Sequence, residues 1–290
     1  MTIQNIKTQI EKSSIIALHC SLGSGRQWAK LAQELDTLFR VVAPDISGYG
    51  NDRGSTDLPM TLADEVAYLG ESLSKAEGPI HLVGHSYGGA IAFKIATASP
   101  FADRVRSLTL IEPVLPTLLK ESTADQRLYD LFVHLGRNVS ADLWKGMYLE
   151  AIDRFVTYWN GSSPATPLSA ETQLRMIERV EKLAFDFTAA LAEQNVASAA
   201  AAIDVPTLLL SGGLSPYLTQ RIVYRLTSII TSAQAHHLPE AGHMLPLTHT
   251  KIVNPLIAAH IKRAEDLAGV SLAVEPANWI VDPELGAAPK

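Results

Sequence analysis

One nine-residue stretch constrains the fold of this chain more than any other. Residues 82–90 are Leu-Val-Gly-His-Ser-Tyr-Gly-Gly-Ala and contain the pattern Gly84-x-Ser86-x-Gly88. An apolar run precedes the pattern and helix-forming residues follow it, which predicts a buried strand, a sharp turn and a helix. Small residues are expected at Gly84 and Gly88, because a Cβ atom there would clash where the strand and the helix approach each other. The serine hydroxyl would then lie at the carboxyl end of a central strand.

The composition is typical of a globular protein with a large core. The chain has 290 residues, of which 47% are hydrophobic and 19% are charged, and its net charge is -6 without any block of like charge. This balance predicts no nucleic-acid partner and no binding to an anionic membrane surface. Residues 1–14 are polar, and the apolar run Ile15–Leu18 is too short for a signal peptide or a membrane span. We therefore expect a cytoplasmic protein.

Strand-like and helix-like segments alternate up to residue 113 and again after residue 205. Short apolar runs are followed by turns rich in glycine, proline and aspartate, and amphipathic segments follow the turns. This order predicts an α/β fold, a parallel sheet with helices on both faces and right-handed crossovers. Polar residues at the predicted strand ends would meet at one edge of that sheet. These residues are Ser21, Asp45, Ser86 and Glu112.

The alternation stops between residues 114 and 195, where the sequence predicts helices over 124–135, 141–159 and 170–193 but no strand. We predict that residues 114–195 form a helical cap over the strand ends. Aromatic residues concentrate there, and we expect most of them to pack the interior of the cap. Some, Trp144 for example, are expected to face a pocket and set the size of the acyl group. The aromatic residues are Trp144, Tyr148, Phe155, Tyr158 and Trp159.

The remaining residues divide into two predicted parts. Residues 1–113 and 196–268 are expected to form one core domain, because the strands lie in these two segments. Residues 269–290 contain prolines and glycines without any period, and they are predicted to form a surface tail.

Four motifs resemble those of the α/β-hydrolase fold family and occur in that family's order. They are similar, in turn, to its oxyanion loop, the loop after its next strand, its nucleophile elbow and its catalytic-histidine loop. The motifs are His19-Cys20-Ser21, Pro44-Asp45-x-x-Gly48-x-Gly50, Gly84-His85-Ser86-Tyr87-Gly88-Gly89 and Ala241-Gly242-His243. The resemblance extends from about Ser14 to Ala268, and it implies an α/β-hydrolase fold with a mostly parallel central sheet and a helical cap insertion.

Some positions depart from the family's pattern or carry a structural expectation. Cys20 stands where the family usually has glycine, and we expect a small buried residue there and not a second nucleophile. As the only cysteine, it allows neither an intramolecular disulfide nor a cysteine metal site. Few residues precede the first strand, so the family's leading antiparallel hairpin is expected to be short or absent. Asp45 is expected to be structural, and His85 is expected to matter through its backbone.

The resemblance implies that Ser86 is a catalytic nucleophile. A serine hydroxyl is a poor nucleophile until a base takes its proton. Of the nine histidines, His243 is the best placed to be this base, because it lies in a loop at the same predicted sheet edge. Two backbone N–H groups would form the oxyanion hole: that of Tyr87, the residue after the nucleophile, and that of Ser21, with Leu22 as the alternative.

The acid that orients His243 departs from the family's usual pattern. Family members commonly carry an aspartate in a Gly-x-x-Asp-Pro turn after the cap, but Ser215 occupies that place here. Some members take the acid from the end of the preceding strand, which is Glu112 in this chain. The extra methylene of glutamate would help it to reach His243, and the order Ser86, Glu112, His243 is an allowed one. Glu240, or a dyad without an acid, are the alternatives.

The nucleophile narrows the reaction. Family members that open epoxides or displace halide use an aspartate at the elbow, so Ser86 disfavours both reactions. We expect hydrolysis of a small, fairly apolar carboxylic ester through an acyl-enzyme. The alternatives are carbon–carbon hydrolysis of a diketone-like substrate and a ligand-binding protein with little turnover. No histidine pair has metal-ligand spacing that is supported by carboxylates on the same face, so we expect no metal. We also expect no cofactor, and a small-molecule substrate as the partner. The sequence indicates no particular oligomeric state.

Overall fold

The sheet is seen in a computed structural model that describes residues 13–51, 59–120, 122–164 and 168–269. Its described strands are β1 (Ser14–Leu18), β2 (Arg40–Val42), β3 (Ile80–His85), β4 (Val105–Ile111), β5 (Thr207–Gly212) and β6 (Ala233–Leu238). They pair in parallel in the order β2-β1-β3-β4-β5-β6. The predicted α/β fold with a mostly parallel sheet is confirmed. The segment before β1, where the family's hairpin is expected to be short or absent, and nearly all of the predicted tail lie outside the described residues.

The helices fall into three groups along the chain. Before the end of β4 they are α1 (Ala29–Leu35), α2 (Leu62–Tyr68), α3 (Gly70–Lys75) and α4 (Tyr87–Ala98). Between β4 and β5 they are α5 (Thr117–Lys120), α6 (Gln126–Trp144), α7 (Tyr148–Asn160), α8 (Ala170–Ile177), α9 (Lys182–Ala192) and α10 (Val196–Ala201). After β5 they are α11 (Tyr217–Ile229), α12 (Leu245–Thr248) and α13 (Thr250–Leu267). No helix in the described ranges has the length and apolar character needed to cross a membrane.

Alternate side chains of the central strands enter two hydrophobic cores, because successive residues of a strand point to opposite faces of a sheet. Ile15 and Ala17 of β1 pack on the face that α1 and α13 cover. Ile16 and Leu18 pack on the other face, together with α2, α3, α4 and α11. The continuous apolar run of β1 therefore reflects burial on both faces, as the sequence predicts.

Helices α5 to α10 fill the connection between β4 and β5, where the sequence predicts three helices. The predicted helix over 141–159 is wrong as a single element, because Gly146 adopts a φ of 73° between α6 and α7. The predicted helix over 170–193 is likewise divided into α8 and α9. Side chains of this insertion share one core with the α4 face of the sheet. The limits of a separate cap at residues 114 and 195 remain a prediction.

The turn after β3 has the geometry that the sequence predicts. Ser86 follows β3 directly with φ 57° and ψ −120°, a region that residues with a side chain rarely adopt. A Cβ on Gly84 would lie 2.7 Å from the Cα of Gly89, and a Cβ on Gly88 would lie 2.6 Å from the carbonyl group of Leu18. Both glycines are therefore required where β3, α4 and the end of β1 approach one another.

We expect Gly84→Ala to lower the free energy of unfolding by roughly 1–3 kcal/mol, because the added methyl group would overpack the contact between β3 and α4. Gly70→Ala is the matched control, since a Cβ there meets nothing within 4 Å. The control should leave the protein as stable or stabilise it by up to about 1 kcal/mol. Urea unfolding of both variants measures the difference, and equal effects would contradict the close approach at Gly84.

Candidate active site

Three polar side chains from separate elements meet at the carboxyl edge of the sheet. Ser86 follows β3, Glu112 follows β4, and His243 lies in the loop between β6 and α12. Ser86 and Glu112 have φ values of 57° and 46°, and Leu22 in the loop after β1 has a φ of 58°. Strained backbone of this kind persists only where the surrounding contacts fix it, and it concentrates at functional sites.

The three side chains form one continuous chain of hydrogen bonds. Ser86 Oγ lies 2.9 Å from His243 Nε2, and His243 Nδ1 lies 2.5 Å from Glu112 Oε2. The other carboxylate oxygen, Glu112 Oε1, accepts from the backbone N–H of Gly212 at 2.7 Å. Because a carboxylate accepts, Nδ1 carries the imidazole proton and Nε2 is free to accept the proton of Ser86. None of the three residues is more than 3% exposed.

Main-chain hydrogen bonds hold the serine and the glutamate segments against each other. The Ser86 N–H donates to the carbonyl of Ile111 at 2.9 Å, and the Val114 N–H donates to the carbonyl of Ser86 at 3.1 Å. The Glu112 N–H donates to the carbonyl of Leu210 at 3.0 Å, which extends the pairing of β4 with β5. Pairing of neighbouring strands therefore sets the distance between the hydroxyl and the carboxylate.

The other acids considered from the sequence lie elsewhere. Ser215 is buried, and its Oγ has no hydrogen-bond partner among the described residues. Glu240 is exposed, whereas the Nδ1 of His243 faces the buried Glu112. In the structure, Glu112 is therefore the carboxylate that contacts His243. Ser215, at the position of the usual aspartate, has no polar partner among the described residues.

The two residues predicted to supply the oxyanion hole lie in the loop after β1, the strand that pairs with β3, and in the first turn of α4. Neither the Ser21 nor the Tyr87 backbone N–H has a hydrogen-bond partner within the described ranges. Burial raises the pKa of Tyr49, and the Leu22 backbone N–H opposes that rise by hydrogen bonding to the hydroxyl. The assignment of Ser21 and Tyr87 as the oxyanion donors, with Leu22 as the alternative to Ser21, stays a prediction.

Buried polar groups fix the shape of the loop after β1. His19 Nδ1–H donates to the carbonyl of Cys20 at 2.7 Å, and His19 Nε2 accepts from the Ile46 N–H at 2.9 Å. Burial lowers the pKa of His19, which keeps the ring neutral, and burial raises the pKa of Cys20 to about 12. Asp45 accepts from the Gly25 N–H at 2.8 Å, a structural contact of the kind expected. Across the described ranges, no three His, Cys, Asp or Glu side chains are grouped so that they could hold a metal ion.

The side chain of His85 forms hydrogen bonds that the sequence does not predict. Its Nε2–H donates to the carbonyl of His243 at 2.8 Å, and its Nδ1 accepts from Gln27 at 3.2 Å. Gln27 Oε1 in turn accepts from the Cys20 N–H at 3.2 Å. The expectation that the backbone of His85 matters most does not include this role of its ring, which joins the histidine loop to the loop after β1. Position inside the elbow was the only sequence signal, and it does not reveal a partner more than 150 residues away.

Trp159 is the aromatic residue of the insertion that reaches the site. Its ring stacks on that of His243, with centroids 4.4 Å apart and planes inclined by 23°. Phe155 contacts Trp159 edge to face, and the Ser162 N–H after α7 donates to the carbonyl of Leu214 at 2.7 Å. Trp144 is 92% exposed, so the expectation that it faces a pocket is wrong. Helical periodicity shows which aromatic residues share one face of a helix, but it does not show what that face packs against.

Comparison with known proteins gives matches to several hydrolases. Over 102 residues the chain is 35% identical to the lipase LipV of Mycobacterium tuberculosis, and the match covers 35% of this chain and 37% of LipV. Over 116 residues it is 28% identical to a haloalkane dehalogenase of Mesorhizobium japonicum, and the match covers 40% of this chain and 37% of that protein. The chain thus spans little more than a third of the length of these relatives.

Solved structures and a family model extend the comparison to nearly the whole chain. The structure of MenH from S. aureus superposes with a TM-score of 0.69 and 18% identity, covering 88% of this chain and 95% of that one. At this identity the likeness shows the fold alone. The model of the alpha/beta hydrolase fold matches residues 14–250. The chain therefore belongs to the α/β-hydrolase fold family, whose members similar to it include a lipase and a dehalogenase.

Proposed function

We propose that this protein is a serine hydrolase that cleaves a small, fairly apolar carboxylic ester through an acyl-enzyme intermediate. The observation that carries the proposal is the unbroken hydrogen-bond chain from Ser86 through His243 to Glu112. A nucleophile bonded to a base, with the base oriented by a third group, is the arrangement that activates a serine in unrelated folds.

In the proposed first step, His243 Nε2 takes the proton of Ser86 as Oγ attacks the ester carbonyl. Glu112 keeps the imidazole in the Nδ1–H tautomer and stabilises the imidazolium that forms. The negative charge on the former carbonyl oxygen is stabilised by the backbone N–H groups of Ser21 and Tyr87. Donors that are fixed in advance are effective because they need no reorganisation when charge develops.

The tetrahedral intermediate then collapses, and the imidazolium gives its proton to the departing alcohol. The acyl group remains on Ser86 Oγ. Water then enters, and His243 takes one of its protons as the water oxygen attacks the acyl carbon. When this second intermediate collapses, the imidazolium returns the proton to Ser86 Oγ and the carboxylic acid leaves. The same base therefore serves both halves of the reaction.

Serine at the elbow favours ester cleavage over the dehalogenase reaction of one relative. Displacing halide with a carboxylate gives an alkyl ester, which water hydrolyses with the help of a base. Displacing halide with Ser86 would give an ether, which has no carbonyl for water to attack. Acyl transfer is the chemistry in which a serine nucleophile is regenerated.

The surroundings of His243 favour an apolar acyl group. Trp159 lies on the imidazole, and an aromatic cluster extends from it into the insertion through Phe132, Phe155 and Phe187. Aromatic surfaces with a few convergent polar groups are typical of small-molecule sites. We take α5 to α9 to be the predicted cap of this site, with Trp159 as its contact to the reacting groups.

Ser86→Ala should abolish turnover of p-nitrophenyl butyrate and labelling by a fluorophosphonate, because both reactions need the nucleophilic oxygen. Wild-type protein should be labelled once, on the peptide that contains Ser86. Circular dichroism should show that the variant is folded. Turnover by Ser86→Ala close to that of the wild type would contradict the proposal, as would an unlabelled wild type that hydrolyses no ester.

Glu112→Gln should lower kcat by up to roughly 10⁴-fold, because an amide no longer fixes the imidazole tautomer or stabilises its charge. Ser215→Ala is the matched control, since it alters the position where related proteins carry the acid. The control should change kcat by less than about threefold, because the Ser215 hydroxyl has no polar partner in the described structure. Equal losses in the two variants, or full activity of Glu112→Gln, would contradict the assignment of the acid.

Trp159→Ala should shift the preference toward longer acyl chains, because removing the indole opens space beside His243. Trp144→Ala is the control, since its side chain faces solvent. The ratio of kcat/KM for p-nitrophenyl octanoate to that for p-nitrophenyl acetate should rise several-fold in the first variant, as one buried methylene is worth about 0.8 kcal/mol. An unchanged ratio in Trp159→Ala would contradict a role of the indole in acyl-chain specificity.

A further inference from the structure

Both residues that we propose as oxyanion donors have side chains that end in the same buried cluster. We call the charged residues Glu65, Lys182 and Asp186 the buried ion cluster. Glu65 lies on α2 of the sheet domain, whereas Lys182 and Asp186 lie on α9 of the insertion. Each of the three is at most 4% exposed. The reaction proposed above uses none of them, so their burial calls for another explanation.

Asp186 holds the loop after β1. Its Oδ2 accepts from Ser21 Oγ at 2.5 Å and from the Tyr49 hydroxyl at 2.6 Å. Its Oδ1 accepts from Lys182 Nζ at 2.5 Å. A single carboxylate on α9 therefore ties the Ser21 segment to the insertion through a hydrogen bond to a charged group, the stronger kind.

Glu65 and Lys182 hold the other donor. Glu65 Oε1 accepts from the Tyr87 hydroxyl at 3.0 Å and from Lys182 Nζ at 2.7 Å. The ammonium also lies 5.0 Å from the centre of the Tyr87 ring and 5.5 Å from that of Tyr49, distances that allow cation–π attraction. The path Ser21–Asp186–Lys182–Glu65–Tyr87 thus joins the two proposed donors by hydrogen bonds only.

Stability alone does not account for the buried ion cluster. Apolar side chains of similar volume in place of a buried ion pair often leave stability unchanged or raise it, because desolvating the charges is costly. Burial raises the pKa of Glu65 to about 7 although Lys182 opposes the rise, and Glu65 Oε2 has no hydrogen-bond partner among the described residues. Burial also acts to lower the pKa of Lys182, but Asp186 and Glu65 outweigh it and raise that pKa.

We propose that Lys182 and Asp186 are positioning residues that hold the Ser21 and Tyr87 backbone N–H groups where the oxyanion forms. This inference rests on the proposed function, because it needs an oxyanion hole. It adds that two residues of α9, which touch none of the reacting groups, contribute to transition-state stabilisation. The insertion would then assemble part of the oxyanion hole as well as cover the site.

The geometry explains why contacts that fix the two N–H groups would matter for catalysis. An oxyanion donor acts only when its nitrogen lies within hydrogen-bond distance of the developing charge, and losing one donor costs roughly 10²–10³-fold in kcat. Ser21 stands in a loop next to Leu22, a residue of positive φ, so the main chain there needs contacts that hold it. Asp186 supplies such a contact from outside the sheet.

The test compares Lys182→Met, Ser21→Ala and the control Lys94→Met with p-nitrophenyl butyrate as substrate. Lys182→Met removes the ammonium that joins Glu65 to Asp186. Ser21→Ala keeps the backbone N–H but removes the hydroxyl bound to Asp186, and it carries little risk of misfolding. Lys94→Met breaks a different ion pair, at 3.0 Å to Glu193, which also links α4 to the end of α9.

We expect kcat to fall about 10²-fold in Lys182→Met, which is the loss typical of a misplaced catalytic group. In Ser21→Ala we expect kcat to fall roughly tenfold. KM should change less than about threefold in both variants. Lys94→Met should retain wild-type kcat. A trifluoromethyl ketone analogue of the ester, whose adduct places an oxyanion in the hole, should bind more weakly by the same factors. A purely structural role would not link kcat to the affinity for this analogue.

The outcomes separate the inference from the proposed function. Wild-type protein that hydrolyses no ester and is not labelled by the fluorophosphonate would contradict the proposed function. A wild type that turns over, with Lys182→Met folded and within threefold of its kcat, would overturn the positioning role and leave the function intact. If Lys182→Met does not fold, Ser21→Ala decides, and unchanged kcat and analogue affinity in that variant would overturn the inference.

Discussion

The pairing of β3 with β4 is the constraint on which the candidate site depends. It places the residues after these strands side by side, and both of them, Ser86 and Glu112, are held at positive φ. Because β5 pairs with β4, Gly212 at the end of β5 can donate its N–H to the Glu112 carboxylate. The histidine loop then needs to supply only one ring, which bridges the side chains of Glu112 and Ser86 by two hydrogen bonds.

Sequence reasoning captured what local pattern and chain order determine. The run into Gly84-x-Ser86 predicted a strand, a turn and a helix, and alternation of elements predicted the parallel sheet. The same pattern predicts Glu112 at a strand end, and Ser215 in the place of the usual aspartate makes Glu112 the candidate acid. These inferences hold because the carboxyl ends of parallel strands share one edge.

What the sequence could not give are contacts between distant segments. His85 binds the carbonyl of His243, and Trp159 stacks on the same ring, yet neither partner is marked by spacing along the chain. Trp144 and Trp159 belong to one aromatic-rich stretch, but one faces solvent and the other is buried. The sequence also does not predict the break between α6 and α7, because the amphipathic pattern continues through Gly146 although the helix ends there.

The helices between β4 and β5 contribute to the site in two places. Trp159 of α7 covers the imidazole from one side, and Asp186 of α9 binds the loop that carries Ser21. Position of the insertion and arrangement of the reacting groups are thus physically connected. We propose that the insertion helps to position the reacting groups as well as covering the site.

The proposed reaction requires Glu112 to hold His243 in the Nδ1–H tautomer, with Nε2 free to take the serine proton. Nitrogen-15 NMR of histidine-labelled protein tests it directly, with the His243 signals assigned by their loss in His243→Ala. At a pH where the ring is neutral, the account predicts a protonated Nδ1 and an unprotonated Nε2, and a reversal or mixture of tautomers in Glu112→Gln. A neutral His243 protonated on Nε2, or a tautomer unaffected by Glu112→Gln, would contradict the account.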